Sequence, residues 1–107
     1  AACVLSAWGT SSHADVACRT NCYALSASYW EQSIFLAPIK TITPGNNVTE
    51  AYDQAMGECQ THLDAFQRHN YGYYHYTAAL LESVSRHGYR HAKINDICIP
   101  QKPNYGG

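Results

Sequence analysis

Five cysteines in 107 residues constrain this chain more than any other feature. So high a cysteine content in a short chain points to a disulfide framework in a domain too small to rely on its apolar core alone. With Cys3 set aside, Cys18, Cys22, Cys59 and Cys98 can form two bridges. Cys18 and Cys22 are four apart on a segment that reads as a helix, so they share a face and reach other partners more easily than each other. One is expected to hold Cys59 and the other Cys98, in either arrangement. A zinc site fits less well, because zinc modules show two close ligand pairs and this chain has a single Cys-x3-Cys. Cys3 is read as an inert residue near a frayed terminus rather than a reactive thiol, an intermolecular bridge or a lipid attachment point.

The bridges imply a secreted, periplasmic or otherwise oxidising location, and a removed signal peptide is the simplest expectation for a sequence that starts at Ala1 rather than Met. Processing after Ser12-His13-Ala14, a small-residue pattern that signal peptidase tolerates, is the less favoured reading. Seven Lys and Arg against eight Asp and Glu leave a net charge of -1 with no basic cluster, which argues against nucleic acid as a partner. No window approaches the apolar length of a transmembrane segment.

The hydrophobic pattern reads as an all-α, single helical domain: a small antiparallel arrangement of three to four helices stapled by two disulfides, with an extended C-terminal tail. The boundaries are an N-terminal segment over 1–11, a helix over 12–36, a loop over 37–46, a helix over 47–70, a helix over 73–87 and the tail over 89–107. Cys18, Cys22, Leu25, Tyr29 and Leu36 mark one face of the first helix, and Pro38 ends it. The 37–46 loop carries the turn residues Thr43-Pro44-Gly45-Asn46, with a short extended piece around Ile39 and Ile42. The second helix has the clearest signal. Asn47 caps it, Glu50 stands three residues on as in a capping box, and Val48, Tyr52, Ala55, Cys59, Leu63 and Phe66 form an apolar stripe. Gly72 breaks it, and Tyr73, Thr77, Leu80, Leu81 and Val84 continue a buried face as far as Arg86-His87-Gly88. A short helix near Ala92 to Asp96 precedes Cys98, which pins the tail to the first helix.

Tyrosine supplies nine of the thirteen aromatic residues, and Tyr71, Tyr73, Tyr74 and Tyr76 crowd one stretch. On a helix they spread around the circumference, so some face solvent, and tyrosine is favoured where proteins meet partners. These four residues are the expected binding surface for a protein partner or a larger assembly. The competing reading is that they pad the rim of a thin core. Six histidines invite a metal reading, but His62 and His69 are seven apart, and His87 and His91 straddle Gly88. The first spacing is too long for ligands to one ion on a helix, and the second pair has the right spacing but spans a glycine at which the helix should already have ended, so no metal site is expected. Asn47-Val48-Thr49 is an acceptor triplet for N-glycosylation, so a glycan at Asn47 is expected only in a eukaryotic source.

Ala65-Phe66-Gln67-Arg68-His69-Asn70-Tyr71-Gly72-Tyr73-Tyr74-His75-Tyr76 resembles the catalytic-helix motif of the small secreted phospholipases A2 of bacteria and fungi. It covers about a dozen of the 107 residues. The resemblance implies that His69 is the general base for an attacking water, that Cys98 matches a later half-cystine, and that calcium is the cofactor. The chain departs from the family at Asn70, where the family has a calcium-binding aspartate, and at Phe66, where it has cysteine. Pro44-Gly45-Asn46-Asn47 has no carboxylate to serve a calcium loop. Asp96 is a distant candidate for the aspartate that orients the histidine. The first functional reading is therefore a small exported binding protein without a cofactor, of inhibitor, immunity, effector or accessory-subunit type. The alternative is a phospholipase A2-like enzyme or its inactive relative.

Overall fold

The computed structural model describes residues 15–26, 33–69, 75–85 and 88–101. In chain order these form strand β1 (Asp15–Ser26), strand β2 (Ile34–Pro44), helix α1 (Val48–His69), strand β3 (Tyr76–Ser85), strand β4 (Gly88–His91), a single helical turn α2 (Ile94–Ile97) and strand β5 (Cys98–Pro100). The fold is α+β, a five-stranded antiparallel sheet with one long helix, and the all-α expectation is overturned by that sheet.

The expected helix over 12–36 is replaced by β1 and the start of β2. Of the residues that mark the expected helical face, Cys18, Cys22, Leu25, Tyr29 and Leu36, the two cysteines at a spacing of four suit a strand equally well, since every second residue of a strand shares a face. Val16, Cys18, Cys22, Ala24 and Ser26 are buried, the period-two pattern of a half-buried strand. The expected loop over 37–46 is mostly β2, in which Ile39, Thr41 and Thr43 are buried and alternate with exposed Pro38, Lys40 and Ile42. Proline is tolerated here because β2 lies at the edge of the sheet order β2-β1-β3-β4. The expected helix over 73–87 is replaced by β3, whose Ala-Ala-Leu-Leu-Glu stretch has good helical propensity. Pairing with β1 on one side and β4 on the other outweighs that local preference. Through Gln101 the tail folds as β4, α2 and β5 rather than extending freely, and α2 at Ile94–Ile97 falls close to the short helix expected near Ala92 to Asp96.

The second helix forms as expected, over Val48–His69. The Glu50 backbone N–H donates to Asn47 Oδ1 at 3.0 Å, so Asn47 satisfies one of the free donors of the first turn. Gly45, at φ 97°, turns the chain between β2 and this cap in a backbone region that L side chains rarely enter. Ala51, Ala55, Cys59 and Leu63 recur every four residues as the buried stripe, and Val48, Tyr52, Met56 and Phe66 pack at its margins. The two small alanines let α1 approach the sheet closely.

β1 is the organising strand. It pairs with β2 along one edge from Asp15 to Ala24, and its other edge is shared, with β5 taking Val16 to Cys18 and β3 taking Asn21 to Ser26. Because β2 and β3 are both antiparallel to β1, they are parallel to each other, and α1 crosses over β1 to connect them. Nine of the fifteen buried apolar residues are alanine or half-cystine, so among the described residues the core is thin. Two bridges reinforce it. Cys22–Cys59 ties β1 to α1, and Cys18–Cys98 ties β1 to β5 between residues directly opposite in the ladder. Cys18 and Cys22 thus take separate partners from one face, as their spacing implied, although that face belongs to a strand.

Candidate binding face of the sheet

α1 covers only one side of the sheet, so the residues that alternate with the core positions point away from it. On β1 these are Asp15, Ala17, Arg19, Asn21, Tyr23 and Leu25, with Asp15 at the far end beside Pro44. Ladder partners bring matching residues from the neighbouring strands: Ile42 and Ile99 flank Ala17, Lys40 lies opposite Arg19, and Pro38 lies opposite Asn21. A bulge between Cys22 and Tyr23 then shifts the register so that Phe35 meets Tyr23. The extra residue on β2 keeps Phe35 on this open side, where an unbroken register would have set Leu36 there instead. The Phe35 and Tyr23 rings meet edge to face, with centroids 5.6 Å apart.

Three of the four exposed large apolar residues described, Ile42 (67% exposed), Phe35 (52%) and Ile99 (51%), stand on this face. Arg19 and Lys40 sit between the isoleucine row and the aromatic row. From Ala17 to Tyr23 the strand rises about 20 Å at roughly 3.3 Å per residue. Three shallow hollows indent the face and its border, and Arg19 lines each of them. One, of about 310 Å³, lies between β1 and β2 around Ala17, Lys40 and Ile42. The next, of about 260 Å³, extends toward Asn21 and Pro38. The third, of about 500 Å³, lies on the β5 side with Asp96, Ile99 and Gln101. It adjoins the stretch where β1 passes from β5 to β3, since the ladders on that edge leave out Arg19 and Thr20. Toward β3 the face is closed. Leu81, the ladder partner of Asn21, is fully buried, and Thr20 Oγ1 and Asn21 Nδ2 donate to the carbonyls of Leu81 and Glu82 at 3.3 and 3.4 Å.

Tyr71, Tyr73 and Tyr74 lie outside the described residues, as does Cys3. Tyr76 opens β3 and is half-buried, with its ring edge-on to Phe66 at 5.4 Å on the core side of the sheet. His69 is the exposed last residue of α1. The fold does not bring it to Asp96. Phe66 and Tyr76 mark the end of β1 at Ser26, whereas α2 and β5 lie beside Val16 to Cys18 at the opposite end. Among the described residues no group of three or more His, Cys, Asp and Glu side chains converges in a way that could hold a metal ion.

The residues that sequence reasoning passed over are Arg19, Lys40, Ile42 and Ile99. For Lys40 and Ile42 the available signal is the alternation Ile39-Lys40-Thr41-Ile42-Thr43, a strand pattern masked by the neighbouring proline and glycine; Arg19 and Ile99 join them only through the ladders of β1. The fold and site together define a disulfide-bonded α+β domain in which, among the described residues, the long helix lies on one side of the sheet and the other side is part-apolar. Comparison with protein-family models, curated proteins and solved structures gave no significant match. The two bridges belong to an oxidising compartment, and no described helix is long and apolar enough to cross a membrane.

Proposed function

We propose that this chain is a small exported binding protein that docks a protein partner on the open face of its sheet. The observation that carries the reading is the exposure of Ile42, Phe35 and Ile99 on one face that no helix among the described residues covers. Antiparallel sheets commonly leave one face to water, but that face is then polar, and a run of exposed apolar side chains marks a contact surface. Inhibitor, immunity, effector and accessory-subunit roles all use such a surface. The tyrosine run at Tyr71, Tyr73 and Tyr74, with Tyr76 beside it, is the second place where a partner would bind.

Co-purification from the native source tests this reading. A partner is expected in stoichiometric yield, and Ile42→Asp with Ile99→Asp should abolish its recovery while leaving the circular dichroism spectrum unchanged. Loss of recovery on Tyr71→Ala and Tyr74→Ala instead would move the site to the tyrosine run. If no partner is recovered and phospholipid hydrolysis disappears on His69→Ala, the binding-protein reading fails.

A further inference from the structure

Arg19 and Lys40 lie directly opposite one another across β1 and β2, both exposed, in the middle of an apolar face. Like charges in facing positions of a ladder are destabilising. Among the described residues neither has a carboxylate within salt-bridge distance, whereas Arg90, on β4, is paired with Glu82 at 2.6 Å. Asp96 borders one of the Arg19 hollows without closing an ion pair. The sheet therefore holds two cations side by side where a neutral or acidic residue at either position would stabilise the isolated domain.

We propose that Arg19 and Lys40 form the carboxylate-recognition point of the docking face, and that its occupant is a protein segment presenting Asp or Glu between apolar side chains. This rests on the binding-protein reading and names the partner's chemistry. The guanidinium of Arg19 can engage a carboxylate through two parallel N–H bonds, Lys40 adds a point charge, and Ile42 and Ile99 on one side with Phe35 and Tyr23 on the other receive apolar neighbours. The alternatives fit less well. A second copy docked face to face on a two-fold axis would set these cations against their own images. Of the residues outside the described part only Glu31 is acidic, so the chain's own segments offer little to match the pair. Two cations on a chain of net charge -1 are also too few to track a nucleic-acid backbone or an anionic membrane.

The test is a titration of the ¹⁵N-labelled, disulfide-intact protein with a capped peptide of alternating isoleucine and glutamate. Parallel arms use the same peptide with lysine for glutamate, inorganic phosphate, and vesicles containing phosphatidylserine. The glutamate peptide is expected to shift the amides of Ala17, Arg19, Lys40, Ile42 and Ile99 and to leave those on the exposed side of α1 unmoved. Lys40→Glu should raise the thermal midpoint by about 2–4 °C through a new cross-strand pair with Arg19, and weaken peptide binding by about tenfold or more. A residue with a purely structural role would not gain stability while losing a ligand. Arg19→Glu combined with Lys40→Glu should transfer binding to the lysine peptide, and Asp96→Asn should tighten the glutamate peptide by about two- to fivefold.

No shifts at millimolar peptide, equal shifts from both peptides, or stronger binding of phosphate or vesicles would each overturn the carboxylate assignment. If the peptide arms fail while a natural partner is still lost on Ile42→Asp with Ile99→Asp, the docking face stands and only the role given to the two cations falls.

Discussion

Single positions in this domain carry energetic signatures that can be measured one at a time. The Thr41 hydroxyl is buried on the α1 side of β2 without a hydrogen-bond partner among the described residues, whereas Thr43, two residues on, donates from Oγ1 to Gln54 Oε1 at 3.1 Å. A buried polar group left unpaired costs roughly 1–3 kcal/mol. Thr41→Val keeps the shape and strand preference while removing the hydroxyl, so it should stabilise the fold by about 1 kcal/mol. Thr43→Val should not, because it leaves the Gln54 amide without that bond. Urea unfolding of the two variants measures the contrast. Neither threonine was legible as buried from its identity alone. What sequence alone conveyed at this scale was chemistry that works within a few residues, such as the Asn47 cap. Which threonine meets Gln54 depends on how α1 lies on the sheet.

α1 is the element that sequence described best, since its period, cap and end all arise locally. Gly57 lies on its exposed side with nothing near the position a Cβ would occupy and with ordinary helical backbone. Gly57→Ala should therefore stabilise the domain by about 0.5–1 kcal/mol, read as a higher urea midpoint at unchanged slope. The strands were harder to recognise. Cys18 and Cys22 fit both periods, the prolines of β2 read as breakers until its edge position is known, and β3 is built from residues that favour helices. In each case the deciding contribution is a ladder to a strand distant in sequence, and no local pattern records it. The same blindness hid the docking face. Lys40 and Ile42 were read as a surface connection, and only the register that sets Ala17 between Ile42 and Ile99 turns scattered residues into a surface.

At the scale of the whole molecule the bridges compensate for a thin core. Cys22–Cys59 spans 37 residues and joins the two layers, while Cys18–Cys98 spans 80 and holds β5, with Ile99, on the docking face. Removing a native bridge from a domain of this size costs roughly 2–5 kcal/mol, a large part of a total stability of about 5–15 kcal/mol. Cys22→Ala with Cys59→Ala should accordingly lower the thermal midpoint by 10 °C or more, on the order of 4–8 °C per kcal/mol. Cys18→Ala with Cys98→Ala should in addition weaken partner binding, because it frees the strand that presents Ile99. A partner is expected to occupy the side of the sheet opposite α1. Hydrogen–deuterium exchange on the native complex, compared with the free chain, tests this most directly. Slowed exchange within residues 17–23, 34–44 and 98–100 is the predicted result, and slowed exchange confined to 69–76, with the strands unchanged, would contradict it.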